Sequence, residues 1–170
     1  EYAEGERLAL ESLEMRGRFI KQQTLDGAGK LKELAEVRLA MGKLVEAEAD
    51  VTQALEYLAN RTHRNTAYAF SVRARCRQKL GRTAEARADF DAAIVVARAL
   101  AERDGGNLLA EVLGASGKAR LETGDVAGAL VELREAEVLA RRSMSPRRKV
   151  RLEIEAALRR CEGEAGATGK

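Results

Sequence analysis

Apolar and small residues recur along the chain with the period of an α-helix, and the same punctuation interrupts them three times. Gly42 is followed by Ala47 and Ala54, Gly81 by Ala86 and Ala93, and Gly124 by Ala129 and Ala136, so Gly-x4-Ala-x6-Ala occurs in three copies. Seven residues before each glycine stands another small residue, Ala35, Ala74 and Gly117. A helix that ends at a glycine, with a second helix starting almost at once, must fold back as an antiparallel hairpin. Small residues at the crossing let the backbones meet. Larger apolar residues flank them: Leu31, Leu34, Phe70 and Leu113 on the first helices, and Val51, Phe90 and Leu133, four residues after each alanine, on the second.

The spacing predicts hairpins over 24–60, 66–103 and 107–142. Tyr2, Gly5, Ala9, Ser12 and Leu13 repeat the second-helix spacing of Leu44, Ala47, Val51, Ala54 and Leu55, so 1–22 is expected to be the second helix of a truncated repeat. The chain begins at Glu1 rather than Met and reads as a fragment of a larger protein. Ser145 as cap and Pro146 as first residue predict a last helix over 145–162, with Val150, Ile154, Ala157, Leu158 and Cys161 on one face against the third hairpin. Residues 1–162 then form a single helical domain, and 163–170, without apolar periodicity, a mobile tail. The terminal Gly-Lys lacks the spacing of a phosphate-binding loop.

Composition fits helix packed on helix. Hydrophobic residues make up 45% and charged residues 34%, a foldable balance, while aromatics are only 4%. With 31 Ala and 15 Gly the core must be built by close approach of small side chains. Cys76 and Cys161 stand far apart with no CxxC partner, which gives neither a disulfide framework nor zinc spacing and points to a reducing, cytoplasmic setting. No apolar run reaches the length of a membrane span and no signal-peptide pattern opens the chain, so no membrane partner is expected. His63, the only histidine, lies in the loop RTHRN away from any nucleophile or carboxylate pair, and Cys76 sits beside the core face as a small packing thiol. The expectation is a protein that is not an enzyme and takes no cofactor or metal.

Charge changes the picture more. The formal net charge of +3 hides two acid-free segments, Arg61–Arg82 with seven basic residues and Arg141–Leu152 with six, together thirteen of the thirty Lys and Arg. Each is either a solvated face balanced by acids of neighbouring helices or a surface that binds anions.

The small-residue pattern resembles the tetratricopeptide repeat, whose first helix carries a bulky residue, Leu, a small residue and Tyr, and whose second carries Ala-x3-Phe-x2-Ala. Three features depart from it. The tyrosine position is Arg38, Arg77 and Arg120, the helix-stopping proline is absent, and the glycines are 39 and 43 residues apart instead of the family's 34, so the second helices should run an extra turn or two. Such long repeats are similar to those of kinesin light chain, spindle-orientation adaptors and bacterial regulatory proteins. The resemblance implies an all-α fold, a right-handed α-solenoid of stacked antiparallel hairpins, whose first helices line a concave groove. The groove positions fall on Lys32, Tyr68, Ser71, Arg75, Gln78, Lys79, Lys118 and Leu121. Of the clamp that chaperone-binding relatives use only Lys32 matches, with Glu36, Val72, Glu111 and Ala115 at the other places, so a chaperone C-terminus is not the expected ligand. Arg38, Arg77 and Arg120 either pack between the helices and reach a carboxylate or form an arginine ladder toward a ligand.

These features predict a non-catalytic protein–protein interaction module, a scaffold or adaptor fragment that presents basic residues to an acidic peptide or helix. RNA binding through the arginine-rich surface is an alternative, against which stand 27 acidic residues and three Tyr and three Phe. A third is self-association through exposed solenoid ends.

Overall fold

The computed structural model of the chain describes residues 3–5, 7, 8, 11, 25–59 and 61–168. Among them the regular structure is entirely helical: α1 (Leu25–Ala40), α2 (Leu44–Leu58), α3 (Arg64–Lys79), α4 (Thr83–Asp104), α5 (Asn107–Glu122), α6 (Val126–Ser143) and α7 (Lys149–Thr168). Residues 3–5, 7, 8 and 11 are helical too; Tyr2, Ala9, Ser12 and Leu13, used above to extend the repeat, lie outside the described residues. No helix of the described residues is long and apolar enough to cross a membrane.

The three hairpin turns share one construction. Gly42, Gly81 and Gly124 adopt φ of 78°, 78° and 82°, a left-handed backbone that costs glycine nothing and other residues a steric penalty. In each turn the glycine N–H donates three residues back, to Leu39, Gln78 or Leu121, and the following N–H donates to the carbonyl of Arg38, Arg77 or Arg120 at 2.9, 2.8 and 2.9 Å. These are Schellman motifs, and they satisfy carbonyls that a helix end would otherwise leave bare.

The chain divides into two compact units, Glu1–Ala93 and Ile94–Lys170. In the first, α1 packs on α2 and both pack on α3. Ala35, Ala47 and Cys76 meet Leu39, Val51 and Val72 in one cluster, and Ala28, Ala54 and Ala69 meet Leu31, Leu55 and Leu58 in another. In the second, α5 packs on α6 and α7 covers both, with Leu121, Ala129, Leu133 and Cys161 at the centre. All nine small residues flanking the turn glycines are buried. At Gly117 an added Cβ would stand 2.7 Å from Leu133 Cγ, and at Gly114 2.7 Å from Ile154 Cγ1, so close approach is required at both places.

The expected hairpins coincide with these elements to within two residues, but other expectations need correction. The extra length of the first long repeat is not taken up by α2, which ends at Leu58 in a left-handed Ala59 (φ 46°), and residues 61–63 are not helical, whereas α4 does extend, to 22 residues. Pro146 does not open α7. Ser145–Arg148 is a turn closed by the Arg148 N–H on Ser145 O at 3.1 Å, and the helix starts at Lys149. It continues through residues expected as tail to Thr168, because Glu and Ala favour helix enough to offset two glycines and Arg160 pairs with Glu164 at 2.9 Å.

Candidate functional site

The repeated arginines are structural in all three hairpins. Arg38 holds Asp50 through two contacts of 2.9 and 2.8 Å, Arg77 holds Asp89 at 3.0 Å, and Arg120 holds Glu132 at 2.7 Å. Each guanidinium reaches the acid twelve residues on, one turn past the crossing alanine, so it ties the first helix to the second while the carbonyl of the same arginine closes the turn. The arginine-ladder expectation is therefore corrected: these side chains are largely buried against carboxylates. The acid at plus twelve in every copy was a signal present in the sequence and missed by reading the arginines alone.

In the first unit the pairing extends into a network. Arg73 forks onto Asp89 at 2.9 and 2.7 Å, and Arg77 also donates to Glu48 on α2 at 2.9 Å, where Arg82 joins it. Burial disfavours the charged form of Glu48, but the two guanidiniums outweigh it and hold the carboxyl below its usual range. Asp89 is only 4% exposed, and two arginines offset its desolvation.

What the network leaves over is a face of α3, a helix with no acid in its sequence. His63 caps it, its Nδ1 accepting from the Asn65 N–H at 3.2 Å. That gives the histidine a local role in the fold. Along α3 stand Tyr68, Arg75 and Lys79, with Lys32 of α1 alongside: Lys32 Nζ lies 5.3 Å and the Arg64 guanidinium 5.7 Å from the centre of the Tyr68 ring, and Lys32 also reaches Glu36 at 3.5 Å. Arg75 and Lys79 are exposed, one helical turn apart, and no carboxylate among the described residues pairs with either. Gln78, in the last turn of the same helix, is half-buried.

Three of the expected groove residues are not available as such. Ser71 is buried at 7% exposure, Leu121 is buried at 5% in the core of the second unit, and Lys118 is engaged by Glu153 of α7 at 3.0 Å. For Lys118 and Leu121 the reason is α7, which lies on the α5 face where they project; Ser71 is buried within the first unit. Between α5 and α7 remains a pocket of about 350 Å³ whose walls carry Lys118 and Arg160 against Glu122 and Glu153, so it offers no net attraction for an anion.

Neither thiol is activated. Cys76 is fully buried, which pushes its thiol up to about 11, and Cys161, also buried and likewise raised, donates to Val126 O at 3.4 Å. Among the described residues no group of His, Cys, Asp and Glu is arranged to hold a metal ion. No protein-family model matches the chain, and no curated protein matches it in sequence.

Proposed function

We propose that the chain is a non-catalytic protein-interaction module. In it, tetratricopeptide-like hairpins stack as a right-handed solenoid within a scaffold or adaptor, and α3 presents cations to an acidic peptide or helix of another protein. One observation carries this. On a helix without acids, Arg73 and Arg77 are neutralised by carboxylates of neighbouring helices, whereas Arg75 and Lys79 on the exposed side are left charged and unpaired. A partner carboxylate there gains Coulomb attraction without displacing an internal ion pair. Tyr68, half-buried with two cations over its ring, supplies the apolar body beside them that a protein interface favours. The same two cations occupy the ring that base stacking would need.

The test is binding of a labelled glutamate-rich peptide by anisotropy. The change Arg75→Glu with Lys79→Glu should weaken it tenfold or more, about 1.4 kcal/mol, and raising salt from about 0.05 to about 0.3 M should act in the same direction. An affinity indifferent to both would remove α3 as the binding surface.

A further inference from the structure

The second acid-free segment, Arg141–Leu152, is not used by the α3 surface and belongs to the other unit. Its cations divide as those of α3 do. Arg141 pairs with Glu137, Arg148 with Glu111 at 2.5 Å and Arg151 with Glu155 at 2.9 Å. Arg142 and Arg147 are exposed and without a carboxylate partner among the described residues, and Lys149, 90% exposed, is no nearer than 3.9 Å to Glu153.

A third unpaired arginine comes from the last turn of α4, next to it. An added Cβ at Gly105 would stand 4.0 Å from Ser143 Cβ, and Arg148 donates to Asn107 Oδ1 at 3.4 Å, so the α4–α5 and α6–α7 connections lie side by side. Arg103, exposed and unpaired, is two residues before Gly105, and Arg142 is one before Ser143. Asp104, half-buried, accepts from the Gly106 and Leu108 N–H groups at 2.9 and 3.0 Å; counted together with exposed Glu102 against Arg103, Arg142 and Arg147, it still leaves the end net positive.

We infer that this end of the second unit is a contact surface for the phosphate backbone of a nucleic acid. Burial within the connecting turn favours a nucleic acid over an acidic protein; Leu152, half-exposed, lies beyond the turn on α7. A protein interface needs an apolar anchor at its centre, but the apolar residue of the connecting turn, Met144, is 5% exposed and turned into the core. The turn exposes Ser145 and Arg147, with Arg142 before it: hydroxyl and guanidinium donors, the groups that contact phosphate oxygens, while Arg148 is already held by Glu111. Scarcity of aromatics weighs against reading bases and has no bearing on backbone contact, which is sequence-independent and driven by counterion release. Arg147 and Lys149, both exposed, also stand at the positive pole of α7, whose first turn has no acid, an arrangement that an approaching polyanion relieves.

The experiment measures anisotropy of a labelled duplex DNA of random sequence and of a single-stranded RNA against the whole chain. Micromolar affinity is expected near 0.05 M salt, with log K falling linearly in log salt. The double change R142Q/R147Q, made at exposed unpaired residues, should leave the thermal melt unchanged, weaken both probes about tenfold and reduce the salt slope by about two. R75E/K79E should leave nucleic-acid binding within about twofold while weakening peptide binding tenfold or more, which separates this surface from the one on α3. The inference is overturned if R142Q/R147Q binds DNA and RNA as wild type does. It is equally overturned if that pair weakens binding of polyglutamate or of phosphatidylserine vesicles as much as it weakens nucleic acid.

Discussion

Replacing Gly117 by alanine should destabilise the protein, although the same replacement inside a helix ordinarily does the opposite. In an unobstructed helix, alanine gains about 0.5–1 kcal/mol over glycine through reduced backbone entropy loss. At Gly117 the new methyl would lie 2.7 Å from Leu133 Cγ, 3.0 Å from Leu133 Cδ2 and 3.4 Å from the Ala129 carbonyl oxygen. Leu133 is fully buried, with Leu121, Ala129 and Cys161 around it, so it has nowhere to retreat without moving α6 away from α5. Overpacking of that kind costs about 1–3 kcal/mol; less the helix gain, this leaves a net loss of up to about 2.5 kcal/mol, centred near 1 kcal/mol, with a fall in Tm of roughly 2–4 °C per kcal/mol. Gly163 provides the control within the same unit: it is also helical, but nothing lies within 4 Å of an added Cβ, so Gly163→Ala should raise stability by about 0.5–1 kcal/mol. Thermal and urea melts followed by circular dichroism read both changes. Adding Leu133→Ala to Gly117→Ala should show a coupling of at least about 1 kcal/mol, because the clash partner is gone. A Gly117→Ala protein that melts at or above wild type would refute the crossing as described.

Asp89→Ala should cost about 3 kcal/mol in urea melts, since it strips the shared carboxylate from Arg73 and Arg77 and leaves partly buried cations uncompensated; a loss below about 1 kcal/mol would mean that the network relaxes into water. Glu48 has a folded-state pKa below its ordinary 4.5, so its contribution is present above that value and is lost as pH falls through the lower, folded one. Melts between about pH 6 and pH 2 should therefore show a decline that Glu48→Gln flattens, and an unchanged acid limb in the variant would assign the loss to other carboxylates. With its thiol at about 11 and no exposed surface, Cys76 should resist a thiol-directed disulfide reagent at pH 8 and react only at the rate of unfolding, as mass spectrometry of the labelled site would record.

Much of the fold was legible because it is written locally. A glycine at a left-handed turn, a small residue seven before it and two more after it are short-range requirements of two backbones crossing, and each recurs in the sequence with its own register. The site was less legible. Tyr68, Arg75 and Lys79 stand exposed or half-exposed along α3, but Leu121 and Ser71 are buried and Lys118 is paired, because burial at those positions depends on packing within each unit. The helix breaks at Leu58 and Lys149 were misplaced for a related reason: the residues there tolerate helix and turn alike, and tertiary context selects between them.

By itself the sequence determined the helical class, the three hairpins, the small-residue crossings and the presence of two acid-free basic segments. Only the tertiary structure decided which cations in those segments remain charged toward solvent. Arg73, Arg77 and Arg148 meet acids sixteen, twelve and thirty-seven residues away in the chain, while Arg75, Lys79, Arg142 and Arg147 meet none among the described residues. Charge in a sequence adds up along the chain, but Coulomb attraction acts through space over a few ångströms, so the balance at each guanidinium is settled only once the helices are packed.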